Sequence, residues 1–135
     1  MLVEILDDYE AMSNRAAEVV IDQIRRKPDS TIGFATGSTP KGLYDRLIEA
    51  HKTRGLDFSK LTTFNLDEYV GLPPSHDQSY AHYMWTNLFD HVNVDPSKIH
   101  IPHGMADDID EHCRWYERRI EEAGGIDLQI LGIGA

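Results

Sequence analysis

The segment from Thr36 to Thr39 combines hydroxyl side chains with a glycine, and Pro40 follows it directly. Glycine allows a backbone to turn close to a ligand, and proline is favoured at the first position of a helix. The first N–H groups of a helix have no partner within the helix and attract anions, and the Ser38 and Thr39 hydroxyls add two donors. Thr36, Gly37, Ser38 and Thr39 are therefore candidate residues of an anion-binding loop.

The same loop has a simpler interpretation. An ordinary turn between a strand and a helix, with Thr39 as the helix cap, has a similar composition. The GK[ST] ending of a Walker loop and the G-x-G-x-x-G spacing of dinucleotide sites are both absent. The loop by itself does not decide between an anion site and a plain turn.

Two adjacent carboxylates, Asp67 and Glu68, follow an apolar run from Leu61 to Leu66. Adjacent residues of an extended chain point to opposite sides, so we expect one of them to face a ligand while the other orients neighbours or caps the next segment. A carboxylate in a partly desolvated cleft is suited to remove a proton from a carbon beside a carbonyl or imine. The alternative is an acidic turn without a catalytic role.

Gly132 and Gly134 follow the last apolar run of the chain. Many strands end in glycine, so their position matters more than their type. His100 and His103 are the histidines closest to metal-ligand spacing, but a proline separates them and no HExxH or paired acids accompany them. We therefore predict a ligand-lining role for the two glycines and no metal site.

Apolar periodicity divides the chain into alternating helices and strands. Capping patterns predict Asp7 with Glu10 at the start of the first helix, Thr39 before the second and Asp108 before the fourth, with Gly55 ending the second. The predicted helices cover residues 8–26, 40–54, 79–91 and 108–123, and the predicted strands cover Thr31–Ala35, Leu61–Leu66, Lys98–Ile101 and Ile126–Ile133.

Alternating strands and helices predict an α/β fold with a mostly parallel sheet and helices on its faces. Ligands bind such sheets outside the carboxyl ends of the strands, where residues 36–39, 67–68 and 132–134 are expected to meet. A length of 135 residues fits one domain. Because the last strand runs into a glycine-rich loop with no helix after it, we expect a partial domain, truncated after the fourth strand.

The charge balance restricts the partners that we expect. Twenty-three acidic and 13 basic residues give a net charge of −10, which disfavours nucleic acid and membrane surfaces but allows one small phosphorylated ligand. Accordingly, Tyr80, Tyr83, Trp85 and Phe89 are predicted to pack in the core rather than to stack on bases. The single cysteine, Cys113, and the lack of a signal peptide predict a reducing, cytoplasmic location.

Three stretches carry a resemblance to a known family: GFATGSTPKGLYDRLIEAHK, TTFNLDEYVGLPPSHDQSYAHYMW and EEAGGIDLQILGIG. They resemble glucosamine-6-phosphate deaminase, also called glucosamine-6-phosphate isomerase, over essentially the whole chain. The FNxDEYxGL and H-x-x-SY patterns are the most specific part. The resemblance implies a Rossmann-like three-layer fold and conversion of glucosamine 6-phosphate and water to fructose 6-phosphate and ammonia, without a redox cofactor.

The resemblance also implies roles for individual residues. Asp67 matches the base that moves a proton between C2 and C1 through an enolamine, and Ser38 and Thr39 match the loop that binds the sugar phosphate. Glu68 and the edge from Gly132 to Gly134 are implied to line the site. A small-molecule sugar phosphate is the implied partner, and a homo-oligomer is implied for the full-length protein.

In the family, a D-G-H-I-x-F-N-E segment follows the GIG loop and supplies ring-opening groups, and basic residues for the phosphate come later. This sequence ends before both. Two alternatives remain. The first is a 6-phosphogluconolactonase-like hydrolase, but that group typically has Arg after the Asp-Glu pair, where this chain has Tyr69. The second is a sugar-phosphate-sensing module, which would need a separate DNA-binding segment.

Overall fold

In the computed structural model, residues 1–134 are described and form one sheet of four parallel strands with the order β3-β2-β1-β4. This topology confirms the predicted α/β fold with a parallel sheet. Across these residues no helix is both long and apolar enough to cross a membrane. The strands are β1 (Thr31–Phe34), β2 (Thr62–Asn65), β3 (Ile99–His100) and β4 (Leu128–Gln129), and the helices are α1 (Tyr9–Arg26), α2 (Lys41–Arg54), α3 (Tyr80–Asn87) and α4 (Ile109–Glu122), with short 3₁₀ turns at Phe89–His91 and Pro96–Lys98.

Helices pack on both faces of the sheet. On one face, Ile32 and Phe34 of β1 are fully buried in a cluster with apolar side chains of α1, α2 and α3. Alternate strand residues point to opposite faces, and Phe64 of β2 contacts Tyr116 of α4 on the other face, with their ring centroids 5.7 Å apart. The molecule therefore has the expected three layers of helix, sheet and helix.

Two of the predicted helix caps differ in the structure. Asp8, rather than Asp7, caps α1 and accepts a hydrogen bond from the N–H of Ala11 at 2.7 Å. Thr39 does not cap α2, because that helix begins after Pro40, which has no side-chain oxygen to offer. The predicted cap at Asp108 and the predicted end at Gly55, which has a φ of 67°, are confirmed.

Two of the predicted segments are clearly shorter than expected. β4 covers only two residues because it lies at the sheet edge and pairs only with β1, to which Ile130 donates the last ladder bond at 2.9 Å. The predicted helix at 79–91 divides at Leu88, whose φ of −145° ends α3 and turns Phe89 into the core.

A buried tyrosine connects the carboxyl ends of two strands. The Tyr116 hydroxyl of α4 shares its single proton between the carbonyl oxygens of Asn65 on β2 and His100 on β3, the second at 2.9 Å. Burial raises the pKa of Tyr116 above its ordinary value, so the donor proton stays in place near neutral pH. This contact fixes the strand end from which the segment carrying Asp67 leaves the sheet.

We expect Tyr116→Phe to lower the free energy of unfolding by about 1 to 3 kcal/mol, because two carbonyl groups lose a buried donor while the ring remains. Urea titration followed by circular dichroism measures the change. Glu117→Gln, at an exposed neighbouring position of α4, is the control and should shift stability by less than about 0.5 kcal/mol. Equal effects of the two substitutions would contradict the assignment.

Candidate active site

A cavity of about 540 Å³ opens at the carboxyl ends of β1, β2 and β4. Phe34 lies opposite Asn65, and Gly33 lies opposite Gln129, so the parallel register brings the loops after these strands to one edge. The sequence predicted this meeting of three loops. Seven of the predicted residues line the cavity: Thr36, Gly37, Ser38, Thr39, Asp67, Gly132 and Gly134.

The β1–α2 loop is held from behind by tyrosine hydroxyls. One tyrosine from each of α1, α2 and α3 donates a hydrogen bond to a carbonyl oxygen of this loop. These contacts join parts of the chain that are distant in sequence and leave the loop with a fixed backbone. The donor and acceptor pairs are Tyr9 with Ser38 at 2.7 Å, Tyr44 with Ala35, and Tyr83 with Gly37.

Holding the carbonyl groups also orients the N–H groups. In a trans peptide, the C=O of one residue and the N–H of the next point in opposite directions. The N–H groups of Thr36, Ser38 and Thr39 therefore point away from the tyrosines. Within residues 1–134, the N–H groups of Gly37, Ser38 and Thr39 make no hydrogen bond to backbone or side chain and can meet an anion. Gly37 has a φ of 107°, a conformation that glycine adopts without strain.

Tyr9 also replaces the cap that Thr39 was expected to provide. Its hydroxyl oxygen accepts a hydrogen bond from the N–H of Gly42, in the first turn of α2, at 2.8 Å. The same hydroxyl donates to Ser38. The Tyr9 side chain thereby connects α1 to both the loop and the start of α2.

Two of these tyrosine donors, Tyr44 and Tyr83, remain protonated under ordinary conditions. Burial, with smaller contributions from nearby Tyr9 and Asp45, raises the pKa of Tyr83 to about 12. Burial raises the pKa of Tyr44 well above its ordinary value of 10.0. The contacts of these two hydroxyls with the loop should therefore be insensitive to pH across the neutral range.

The adjacent carboxylates of Asp67 and Glu68 lie in different environments. The exposed Asp67 lines the cavity, whereas the Glu68 carboxylate accepts hydrogen bonds from the N–H groups of Tyr69 and Tyr80, both at 2.8 Å, and Ala81 at 3.0 Å. Glu68 was expected to line the site, but among the described residues its side chain is held at the start of α3 and does not line this cavity. The expectation that the neighbouring acids point different ways is confirmed.

Tyr80 is a cavity residue that sequence reasoning assigned to the core. The core prediction holds for Phe89, Trp85 and Tyr83, which pack on the main apolar cluster. Tyr80 instead lines the cavity. Tyr80 is the first residue of α3, directly after the Ser79 cap. Its position in the first turn of a helix that points at the sheet edge was the sequence feature that could have predicted its place at the cavity.

The Tyr80 phenol lies among the other cavity groups. Its ring centroid is 4.7 Å from that of Tyr69. A hydrogen bond with Tyr69, partial burial and the negative charge of Asp67 raise the pKa of Tyr80, and a hydrogen bond with Thr36 opposes them. Tyr80 therefore lies at the cavity and packs on the segment that carries Asp67.

The histidines that raised the question of a metal have structural contacts. His100 stacks on Phe64 with centroids 4.5 Å apart, and burial lowers the pKa of His100, with a smaller contribution from Arg119. The N–H of His103 donates to His112 at 2.9 Å. Among the described residues no group of three His, Cys, Asp or Glu side chains could hold a metal ion.

A donor-rich loop after β1 and a carboxylate after β2, both at the carboxyl edge of a parallel sheet, define a class of α/β proteins that bind small anionic ligands there. Residues 7–135 match the family model described as glucosamine-6-phosphate isomerases/6-phosphogluconolactonase. The chain belongs to this family, as the sequence predicted.

Relatives named glucosamine-6-phosphate deaminase are 56% identical in Thermoanaerobacter sp. (strain X514) and 54% identical in Clostridium botulinum (strain Loch Maree / Type A3), each over 134 residues. These alignments cover 99% of this chain but 53% and 55% of the relatives, so the chain spans about half their length.

Solved structures show the same relationship. A monomeric glucosamine-6-phosphate deaminase is 45% identical, with a TM-score of 0.97 over 99% of this chain and 56% of its own. A 6-phosphogluconolactonase from Thermotoga maritima is 23% identical, with a TM-score of 0.78 over 98% of this chain and 60% of its own, and shares the fold.

We expect Tyr9→Phe to weaken binding of inorganic phosphate about fivefold or more, because losing the hydroxyl frees the Ser38 carbonyl and the peptide that orients the Thr39 N–H. Titration of the amide signals of Gly37 to Thr39 by nuclear magnetic resonance measures the affinity. Tyr116→Phe is the control, since that hydroxyl binds β2 and β3. Equal phosphate affinity of Tyr9→Phe and the unmodified chain would contradict the role of the tyrosine.

Proposed function

We propose that this chain forms the sugar-phosphate-binding and proton-transferring part of a glucosamine-6-phosphate deaminase. The observation that carries the proposal is the meeting of the Thr36–Thr39 loop and Asp67 in one cavity. The names of the relatives support the substrate, and the cavity geometry supports the division of tasks.

In this proposal the β1–α2 loop binds the phosphate. No lysine or arginine lines the cavity within residues 1–134, so backbone N–H groups and the Ser38 and Thr39 hydroxyls supply the contacts. Donors fixed in advance bind an anion without a further cost of ordering the loop. Gly132 and Gly134 line the cavity without side chains that would narrow it.

Asp67 is the proposed base of the isomerisation. In the open-chain substrate it removes the proton from C2 while the C1 carbonyl oxygen gains a proton, which gives an enolamine. Asp67 then returns its proton to C1 while the nitrogen loses one, which leaves an imine at C2 and a hydroxyl at C1. Water attacks C2 and displaces ammonia to give fructose 6-phosphate. This sequence consumes one water and needs no redox cofactor. Ring opening and neutralisation of the phosphate charge are assigned to groups outside residues 1–134.

Lactone hydrolysis is the alternative function within this family. The lactonase likeness rests on the fold, at 23% identity. The residue after the Asp-Glu pair is Tyr69, where the lactonase group typically has Arg, and this difference favours the deaminase. A cytoplasmic location and a role in amino sugar catabolism are part of the proposal. Homo-oligomerisation stays a prediction, and a similar solved deaminase is monomeric.

We expect a chimera, in which this chain replaces the matching half of the Thermoanaerobacter deaminase, to release ammonia from glucosamine 6-phosphate. Coupled ammonia detection measures the rate, and the parent deaminase is the positive control. The 135-residue chain is assayed beside it and should be far slower. Hydrolysis of 6-phosphogluconolactone without ammonia release would contradict the proposal.

We expect Asp67→Asn in the chimera to lower kcat by about 10²- to 10⁴-fold with little change in KM, because the amide keeps the shape of the side chain but is not basic. Exchange of the substrate C2 proton with deuterated solvent should disappear in parallel. Asp90→Asn, at an exposed position outside the cavity, is the matched control. Retained exchange in Asp67→Asn, with loss of exchange in Glu68→Gln, would assign the base to Glu68.

A further inference from the structure

The carboxylate of Glu68 is committed to the backbone of another element. It lies in the segment after β2, yet its oxygens accept the N–H groups of Tyr80 and Ala81, the first two residues of α3. Ser79 accepts the N–H of His82 at 3.0 Å, so the first three N–H groups of α3 are all satisfied. A carboxylate is favoured here because the N-terminus of a helix carries a partial positive charge.

This contact has a consequence for the cavity. Asp67 is the direct neighbour of Glu68, and Tyr80 is the residue whose N–H Glu68 accepts, and both Asp67 and Tyr80 line the cavity. One side chain therefore sets the position of the cavity carboxylate relative to the cavity phenol. The third hydrogen bond, from the N–H of Tyr69, fixes the backbone immediately after Glu68 and the ring that packs on Tyr80.

We propose that Glu68 is a positioning residue, which fixes the start of α3 against the β2 segment so that Asp67 and Tyr80 face the same substrate. This role of Glu68 rests on the proposed function. A positioning role takes the place of the direct contact between Glu68 and the substrate that was expected from the sequence. Misplacing a reacting group by about 1 Å can cost about 10²-fold in rate, so the backbone contacts of Glu68 affect the chemistry without touching the sugar.

The first test is the kinetics of Glu68→Gln in the chimera. Gln has only one acceptor oxygen in place of the two of the carboxylate, so at least one of the three hydrogen bonds is lost. We expect kcat to fall about 10- to 100-fold, KM to change less than about twofold, and the pH profile to keep its shape because Glu68 carries no substrate proton. Glu68→Asp keeps the charge but shortens the reach, and we expect a similar loss of kcat.

Asp108→Asn is the matched control. Asp108 caps α4 through the N–H of Glu111 at 3.0 Å and does not line this cavity. We expect Asp108→Asn to lower the melting temperature while kcat stays unchanged. If Glu68→Gln lowers the melting temperature with unchanged kcat, the role is purely structural and the inference fails. A raised KM with unchanged kcat would mean direct substrate binding and would also overturn it.

A second readout does not depend on activity. In the 135-residue chain, Glu68→Gln should speed hydrogen exchange at the N–H of Ala81 or Tyr80 and weaken the nuclear Overhauser contacts between the Tyr80 and Tyr69 rings, whose centroids lie 4.7 Å apart. Unchanged exchange and contacts would refute the inference even if the chimera is an active deaminase. If the chimera releases no ammonia, the proposed function fails while this readout still tests Glu68.

Discussion

Parallel pairing of β1 with both β2 and β4 is the constraint on which the rest of this site depends. Parallel strands present their carboxyl ends at one edge, so three loops that are distant in sequence reach one cavity. All four residues of β1 are buried, which fixes this central strand between its neighbours. A shift of one residue in either register would turn the strand side chains to the opposite face and separate the loops.

In the proposed function, anion binding depends on backbone dipoles rather than on net charge. The chain carries a net charge of −10, so its long-range field repels a phosphate, and attraction has to come from groups at short range. Tyrosine hydroxyls orient the peptide groups that could supply this attraction. Tyr9 binds the carbonyl oxygen of Ser38 and Tyr83 binds that of Gly37, which holds both carbonyl groups away from the cavity. Since burial raises the pKa of Tyr83 to about 12, the arrangement persists through the neutral range.

The sequence predicted those parts of the fold and site that depend on local chemistry. Alternating apolar runs and the Gly37 turn were sufficient to place the strands, the loop and Asp67 at one edge. The support of that loop was not predictable, because Tyr9 reads as an apolar position of a helix until the fold brings it to Ser38. The family resemblance implied that Glu68 lines the site. Its actual partners could not be predicted, because they lie 12 and 13 residues further along the chain, at the start of α3.

The most direct test is a crystal structure of the chimera with an open-chain amino-sugar alcohol 6-phosphate, which has no carbonyl group to enolise. We expect the phosphate within hydrogen-bond distance of the Ser38 and Thr39 N–H groups. We also expect carbons 1 and 2 beside the Asp67 carboxylate, with Glu68 still bound to the start of α3. A phosphate bound away from the β1–α2 loop, or a Glu68 carboxylate in contact with the sugar, would contradict it.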